Sequence, residues 1–377
     1  MPATKVFVVG GTGAQGTPVV RGLVSDGKYA VKVLTRDVQS TRAQQLQSLS
    51  PKVELFQGNA ISEADLRKGL EGCDGLFLNI DGFTVGEKAE TFWTMRIYEL
   101  AVEYKIKHFI FGNLDYGLRK GGYQAKYRTG HYDGKGRMAD WLLAQHRLNR
   151  GLPFYDMSLA IFTTGPYIEM TLSQGTPMAP VVEADDNGEE VVMWKVPLTE
   201  NGAVVHVSLD DCAYYVRWLF DHPEYDGLDL EVAVEHVHYA ELAAAFERVT
   251  GCKAKFVDIS MEEYWATGPM AARASAPAGY TADINESGTL SVKDNFTGFW
   301  NVWRDSGKNE GVVKRDYALL DKIHPQRIRT VEQFFRLEEE RAKAEGTTLL
   351  GRIKNPRPVL KLQADFMKKA LERMSKA

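Results

Sequence analysis

Cysteine is scarce: three occur in 377 residues, Cys73, Cys212 and Cys252, too few and too widely spaced for a disulfide framework or a zinc site. A reducing compartment is the simplest expectation, cytoplasmic or also nuclear. Long hydrophobic runs are missing as well. Nowhere do about 18 apolar residues follow one another, so no membrane span is expected, and the apolar start at residues 6–9 runs into glycines too soon for a signal peptide. Neither sign of charge dominates. With 46 Lys and Arg against 50 Asp and Glu, a net charge of -4 offers no broad basic surface to nucleic acid. His236 and His238 alternate, but no carboxylate or cysteine cluster completes a ligand set, so no metal centre is expected. Asp115, Asp140 and His146 surround no serine elbow, which removes hydrolase chemistry.

What is present is a regular alternation. Apolar runs at residues 6–9, 31–34, 53–56, 75–80, 108–111 and 154–159, most of them rich in β-branched or aromatic residues, predict strands. Helical patterns fill residues 17–26, 63–71, 87–104 and 135–149 between them. Strand and helix alternating six times predict a Rossmann-like α/β fold, a doubly wound parallel sheet. Beyond residue 159 the rhythm changes. An Asn187-Gly188 turn predicts a hairpin into a strand at residues 190–196; residues 203–207 read as another strand. Ser208 with Asp211 resembles a capping box opening a helix to residue 220, and a further helix over residues 240–250 ends at Gly251. The expected organisation is a dinucleotide-binding domain at 1–159, with residues near 203–222 packing back on it, a smaller α+β domain at 160–345, and a tail at 346–377. Residues 265–310 mix small residues with aromatics, a composition that suits a lid or a surface excursion packed on its own domain.

The first strand leads straight into Gly10-Gly11-Thr12-Gly13-Ala14-Gln15-Gly16 and then a helix. In this setting three of the glycines have separate physical roles. Gly10 makes the tight turn, Gly13 lets backbone amides approach a pyrophosphate, and Gly16 lets helix and strand pack closely. The helix N-terminus offers unpaired amides and positive partial charge to phosphate. At the end of the second strand, where an NAD binder would carry a carboxylate, stands Arg36. A guanidinium there suits a 2′-phosphate, so NADP(H) is the expected cofactor, with a merely solvated strand-end arginine as the alternative. Asn59 and Asn79, at the ends of the third and fourth strands, are candidate contacts to adenine and to the ribose or nicotinamide, or ordinary turn-capping residues.

The segments VFVVGGTGAQG, LTRD, FQGNAISEADL, HFIFGNLD and HYDGKGRMADWL together resemble the NmrA-like family, an atypical branch of the short-chain dehydrogenase/reductase superfamily, and within it a human redox-sensor protein. The resemblance implies an NADP(H) domain followed by a small domain that closes a cleft beside the nicotinamide. It also implies that Gly10, Thr12, Gly13, Gln15 and Gly16 contact the phosphates, Arg36 the 2′-phosphate and Lys135 the nicotinamide ribose. Two departures stand out. The superfamily's hydroxyl-bearing residue on the fifth strand is replaced by Gly112-Asn113, and the tyrosine four residues before the lysine is replaced by His131.

Two functions follow. The first is an NADPH-dependent oxidoreductase that reduces a carbonyl or conjugated small molecule, with Lys135 and His131 as the catalytic pair. Tyr127 and Tyr132 are further proton donors, and a packing or capping role is the alternative for His131. Phe83, Phe162, Tyr167, Phe296 and Trp300 are candidate walls of an apolar substrate pocket. The second is a non-catalytic NADPH/NADP+ redox sensor that regulates a protein partner. From Arg352 onward eight basic residues face two acidic ones, with apolar residues near one helical face. This tail suits docking on the chain's own acidic surface, a partner, or a dimer contact.

Overall fold

A computed structural model describes residues 4–279, 282–356 and 358–360. The first half runs β1 (Thr4–Val9), α1 (Gly16–Val24), β2 (Tyr29–Thr35), α2 (Thr41–Ser48), β3 (Val53–Gln57), α3 (Glu63–Leu70), β4 (Gly75–Leu78), α4 (Gly82–Glu103), β5 (His108–Leu114), α5 (Gly117–Lys120), α6 (Gly130–Asn149) and β6 (Ser158–Thr164). The second half adds β7 (Val181–Ala184), β8 (Glu190–Val196), β9 (Val204–Val205), α7 (Leu209–Asp221), β10 (Asp229–Glu231), β11 (His236–Val237), α8 (Tyr239–Thr250), β12 (Ala254–Asp258), α9 (Met261–Thr267), α10 (Val292–Arg304), α11 (Tyr317–Ile323), α12 (Val331–Ala344) and α13 (Leu349–Lys354).

Seven strands make one sheet in the order β10-β6-β5-β4-β1-β2-β3, and every pairing in it is parallel. A parallel sheet covered on both faces requires apolar residues at successive positions, which is why the strands read as continuous runs. In β1, Val6 and Val8 face Val19, Val20 and Leu23 of α1 and Val216 of α7. Phe7 and Val9 face the other way, toward Leu66 of α3, Ile97 of α4 and Leu142 of α6. A Cβ on Gly22 would lie 2.6 Å from the Ala213 carbonyl oxygen, so this glycine is what lets α7 lie close on α1. Residues beyond 200 thus return to cover the first sheet. β10 goes further and adds an edge strand to it.

The rest of the second half has its own core of Trp194, Phe246, Trp300, Trp303 and Phe335. β7 and β8 form the expected antiparallel hairpin, and β12 joins β8 in parallel. The Arg315 guanidinium meets the Asp115 carboxylate at 2.7 Å, both side chains fully buried, and ties this half to the end of β5. The neighbouring cations Arg315 and Lys120 hold the Asp115 carboxyl well below the ordinary range despite its burial.

Several boundaries differ from the sequence pattern for physical reasons. β6 starts at Ser158 rather than 154, because its register is set by β5, where His108 pairs with Ser158; Phe154 is exposed. A division at residue 159 falls inside this strand. α6 begins at Gly130, five residues early, and its three N-terminal glycines obscure it. A Cβ on Gly136 would lie 2.4 Å from the Tyr116 Cβ, so close packing overrides propensity there. α2 buries only Ala43 and Leu46 and leaves little apolar stripe to detect. At α7 the Ser208 hydroxyl accepts from the Asp210 amide, but Asp211 turns outward to accept from the Ile328 amide. Of the tail, residues up to 360 are described in part: α13 is tied down by Arg352–Glu338 and Lys354–Glu190 pairs, and Arg42 reaches the Val359 carbonyl. The apolar face expected at Leu362, Phe366, Leu371 and Met374 lies outside the described residues.

Candidate functional site

The strand order reverses between β1 and β4, so the loops leaving these two strands part and open a crevice at their carboxyl ends. Gly10 turns the chain there with φ +88°, and a Cβ on it would lie 2.2 Å from the Asn79 carbonyl oxygen. A Cβ on Gly16 would lie 2.1 Å from the Gly10 carbonyl oxygen. These two glycines are demanded by packing within the loop. Gly13 is different. Its only near neighbour is the Gly10 oxygen, at 3.1 Å, so its outer side is open at the N-terminus of α1. The cradle a pyrophosphate needs is present in shape: bare backbone, a helix start, and no side chain in the way. Thr12 is buried beside it.

A line of polar side chains, with Gln15 and Lys135 buried and Asn79 half-buried between them, crosses the floor of the crevice. Gln15 Nε2 donates to Thr164 Oγ1 at 3.4 Å, and Gln15 Oε1 accepts from Asn79 Nδ2 at 2.6 Å. Asn79 Oδ1 in turn accepts from Lys135 Nζ at 3.0 Å. Nζ also reaches the Ile80 carbonyl at 2.9 Å and that of Gly112 at 3.4 Å, and pairs with Glu90 Oε1 at 2.7 Å. Glu90 has no counterpart in the sequence reading. It lies on α4, 45 positions from Lys135, with no motif around it. Its carboxylate is fully buried, and burial pushes its pKa up against the opposing pull of Lys135. Gly82 makes room for it, since a Cβ there would lie 2.3 Å from Glu90 Oε2. Gly112, which stands where the superfamily carries a hydroxyl residue, has its Cβ position 3.0 Å from the Asn79 Cβ and 3.2 Å from Gln15 Oε1. The missing side chain is what lets Asn79 and Gln15 meet.

Arg36 stands exposed at the end of β2, with no hydrogen bond or ion pair on its side chain among the described residues. The neighbouring Asp37 carboxylate accepts from the Gln39 amide at 2.8 Å, in a local turn. Asn59 is likewise engaged locally: its side-chain oxygen accepts from the Ile61 amide at 3.2 Å, and its own amide donates to Asp65.

Beyond Lys135 the crevice widens into a chamber of about 240 Å³. Gly10, Gln15 and Asn79 form one end; Phe83, Tyr167, Met170, Phe296 and Phe299 wall the other. Phe83 and Phe296 stack with centroids 6.1 Å apart. Residues 273–279, the start of the mixed stretch noted in the sequence, close one side. Two expected wall residues are elsewhere: Phe162 is buried on the α1 side of the first sheet, and Trp300 packs into the second core against Tyr264.

His131 lines the chamber, its ring tilted against Phe83 with centroids 4.6 Å apart. The expectation that it donates as an imidazolium runs against its surroundings. Burial among rings, with the Lys135 charge nearby, pushes its pKa down to about 4, so the ring is neutral near pH 7. Tyr127 donates to Asp305 at 2.7 Å, outside the chamber wall. Tyr132 is at the wall, but burial drives its pKa far above the usual phenol value. His236 is held by Tyr317 and the Val313 carbonyl. Among the described residues there is no cluster of three metal-ligating side chains, and no helix long and apolar enough to cross a membrane.

The sequence matches the NmrA-like family model over residues 2–335. An NmrA-like family domain-containing protein of Dictyostelium discoideum is 24% identical over 262 residues, which cover 69% of this chain and 82% of that protein. The NmrA-like family domain-containing oxidoreductase lnaB of Aspergillus flavus is 27% identical over 275 residues, 67% of this chain and 75% of its own. Among solved structures, NmrA, a negative transcriptional regulator, in complex with NAD gives a TM-score of 0.66 at 16% identity, covering 93% of this chain and 100% of that one. The same regulator has been solved with NADP. An NADPH-dependent quinone oxidoreductase of Escherichia coli, complexed with NADPH, gives 0.62 at 16% identity over 87% and 98% of the two chains. At such identities the structural likeness is one of fold, and the lineage rests on the match along the sequence: this chain belongs to the NmrA-like family.

Proposed function

We propose that the protein binds NADP(H) along the β1–β4 crevice and reduces a carbonyl or conjugated small molecule in the chamber beside Lys135. One observation carries this reading: an apolar, aromatic-walled chamber opens on the same polar line, Gln15–Asn79–Lys135, that borders the glycine loop. In this reading the backbone from Gly10 to Gly16 and the start of α1 take the pyrophosphate, and the unengaged Arg36 takes the 2′-phosphate. Thr12 and Gln15 complete the loop's contacts, Asn79 and Lys135 hold the nicotinamide ribose, and Asn59 stays at the adenine side. The bound cofactor supplies hydride.

The chain itself supplies the proton. Lys135 Nζ faces four acceptors, of which the Gly112 carbonyl at 3.4 Å is the most distant, so a ribose or substrate oxygen replaces that contact at least cost. From there the ammonium donates to the developing alkoxide, and Glu90 balances its charge in a site that excludes water. His131, being neutral, serves as a hydrogen-bond partner in the wall rather than as the acid.

Consumption of NADPH by the full-length protein, followed across a panel of aldehydes, enones and quinones, tests the reading. Saturable turnover with at least one class is the expected result. Tight NADPH binding without turnover of any of them overturns it in favour of the redox-sensor reading, which the missing tyrosine and the regulator fold of NmrA would then support.

A further inference from the structure

Asn295 lies in the first turn of α10, 164 positions beyond His131, and its side chain is fully buried. Its amide lies against the histidine at three points. Nδ2 is 2.9 Å from His131 Nδ1, Oδ1 is 3.2 Å from the same atom, and Oδ1 is 3.5 Å from the His131 backbone nitrogen. That backbone N–H belongs to the first turn of α6, where a helix supplies no carbonyl for it. It can only donate, so the amide end beside it must be the oxygen. The other end is then the NH2 group, which donates to Nδ1. A neutral imidazole whose Nδ1 accepts must carry its hydrogen on Nε2. Nε2 has no hydrogen-bond partner among the described residues, while the ring is walled by Phe83, Phe296 and Phe299 with centroids 4.6, 5.4 and 6.2 Å away.

We infer that Asn295 is a positioning residue that fixes the tautomer of His131, so that Nε2–H is a fixed neutral donor for an acceptor oxygen of the chamber's ligand. The ligand half of this inference rests on the reductase reading; the tautomer does not. An apolar wall that presents this N–H beside the Lys135 ammonium selects a carbonyl or quinone oxygen over a group that can only donate, because a donor set against it would leave two buried N–H or O–H groups facing each other unpaired. The arrangement also explains why the second half of the chain must be seated before the site is complete: the group that orients His131 comes from α10.

The test is spectroscopic and needs no turnover. Full-length protein uniformly labelled with 15N is saturated with NADP+ at pH 7; its histidine ring nitrogens are read by long-range proton–nitrogen correlation and its backbone amides by one-bond correlation. His131, one of eight histidines, is assigned by its loss in His131→Gln. The expected pattern is a neutral ring protonated on Nε2, changing in Asn295→Asp, whose carboxylate only accepts, to one protonated on Nδ1. Protonation on Nδ1 in the wild type overturns the inference without any variant, as does an unchanged pattern in a folded Asn295→Asp. Cyclohex-2-enone added to the wild-type NADP+ complex should then shift the Nε2 resonance alone. An enone that shifts other chamber resonances and leaves Nε2 unmoved overturns the donor role, and one that shifts nothing counts against the reductase reading and the donor role together while the tautomer stands on the first measurement.

Discussion

The two ends of the crevice are built on opposite terms. At the glycine loop the site is made by removing side chains: Gly10 and Gly16 are bare because a Cβ would strike a backbone carbonyl at 2.2 and 2.1 Å. At the chamber the site is made by adding them, with Phe83, Tyr167, Phe296 and Phe299 brought from well-separated parts of the chain. A backbone site is encoded in one contiguous stretch and can be read there. A side-chain site is encoded in distances between elements and becomes visible only once they are packed.

The sharpest way to break this comparison lies among the glycines themselves. Gly16→Val should destabilise the fold by about 3 kcal/mol or more, since its side chain would press on the Gly10 and Gly11 backbone, which cannot give way. Gly13→Val should melt near the wild type and yet lose cofactor binding, because its outer side is open. Thermal melts paired with NADPH titrations separate the two. Equal melting losses would mean that Gly13 is also a packing glycine.

At the chamber end, Lys135→Ala should lower turnover about 10²–10⁴-fold and weaken cofactor binding. It also strands the buried Glu90, at a cost of about 3–5 kcal/mol in stability. Adding Glu90→Gln to that variant should return most of the stability and none of the turnover. Denaturant midpoints beside initial rates show whether the pair is one unit, and recovery of both would place the proton source elsewhere.

These effects explain what is legible in the sequence alone. The six strands, the glycine loop and Lys135 each announce themselves within a short window, through alternation, spacing or a local motif. Glu90 does not, because a single carboxylate in a helix carries no signature until Gly82 and Lys135 are folded around it. Asn295 is hidden for the same reason at a longer range. Phe162 and Trp300 suit the wall by composition but not by position, since aromatic content alone does not say which face a residue takes. The start of α6 is obscured by glycines whose purpose is packing on Tyr116 and beside Glu87.

A smaller effect is expected at the adenosine end. Arg36→Ala should reduce NADPH affinity at least about tenfold, the yield of one charge-assisted contact of about 1.5–3 kcal/mol, and leave NADH affinity nearly unchanged. Calorimetry with both cofactors measures the difference. Equal losses for the two would remove Arg36 from the 2′-phosphate.

The mildest effect is on pH. His131 and His206 are both buried and pushed down to about 4 from the ordinary 6.5. The unfolded chain therefore binds more protons than the folded one between those values, so stability is lost as pH falls from about 6.5 toward 4 and is fully present above it. Turnover, by contrast, should show no decline centred on an ordinary imidazole pKa if, as proposed, Lys135 rather than His131 is the acid. Denaturant midpoints and rates collected over the same pH series check both, and a rate that falls through about pH 6.5 as the medium becomes alkaline would restore His131 as the donor.

The central claim is that one crevice holds the dinucleotide and delivers its reactive end to an open chamber. A crystal structure of the full-length protein with NADP+ tests it most directly. The account predicts the pyrophosphate on the Gly10–Gly16 backbone, the ribose against Lys135 and Asn79, and the nicotinamide facing free space in the chamber bounded by Phe83, Tyr167 and Phe299. A nicotinamide that fills that space itself, or a chamber closed by Phe296 and Phe299 when the cofactor is bound, would contradict it.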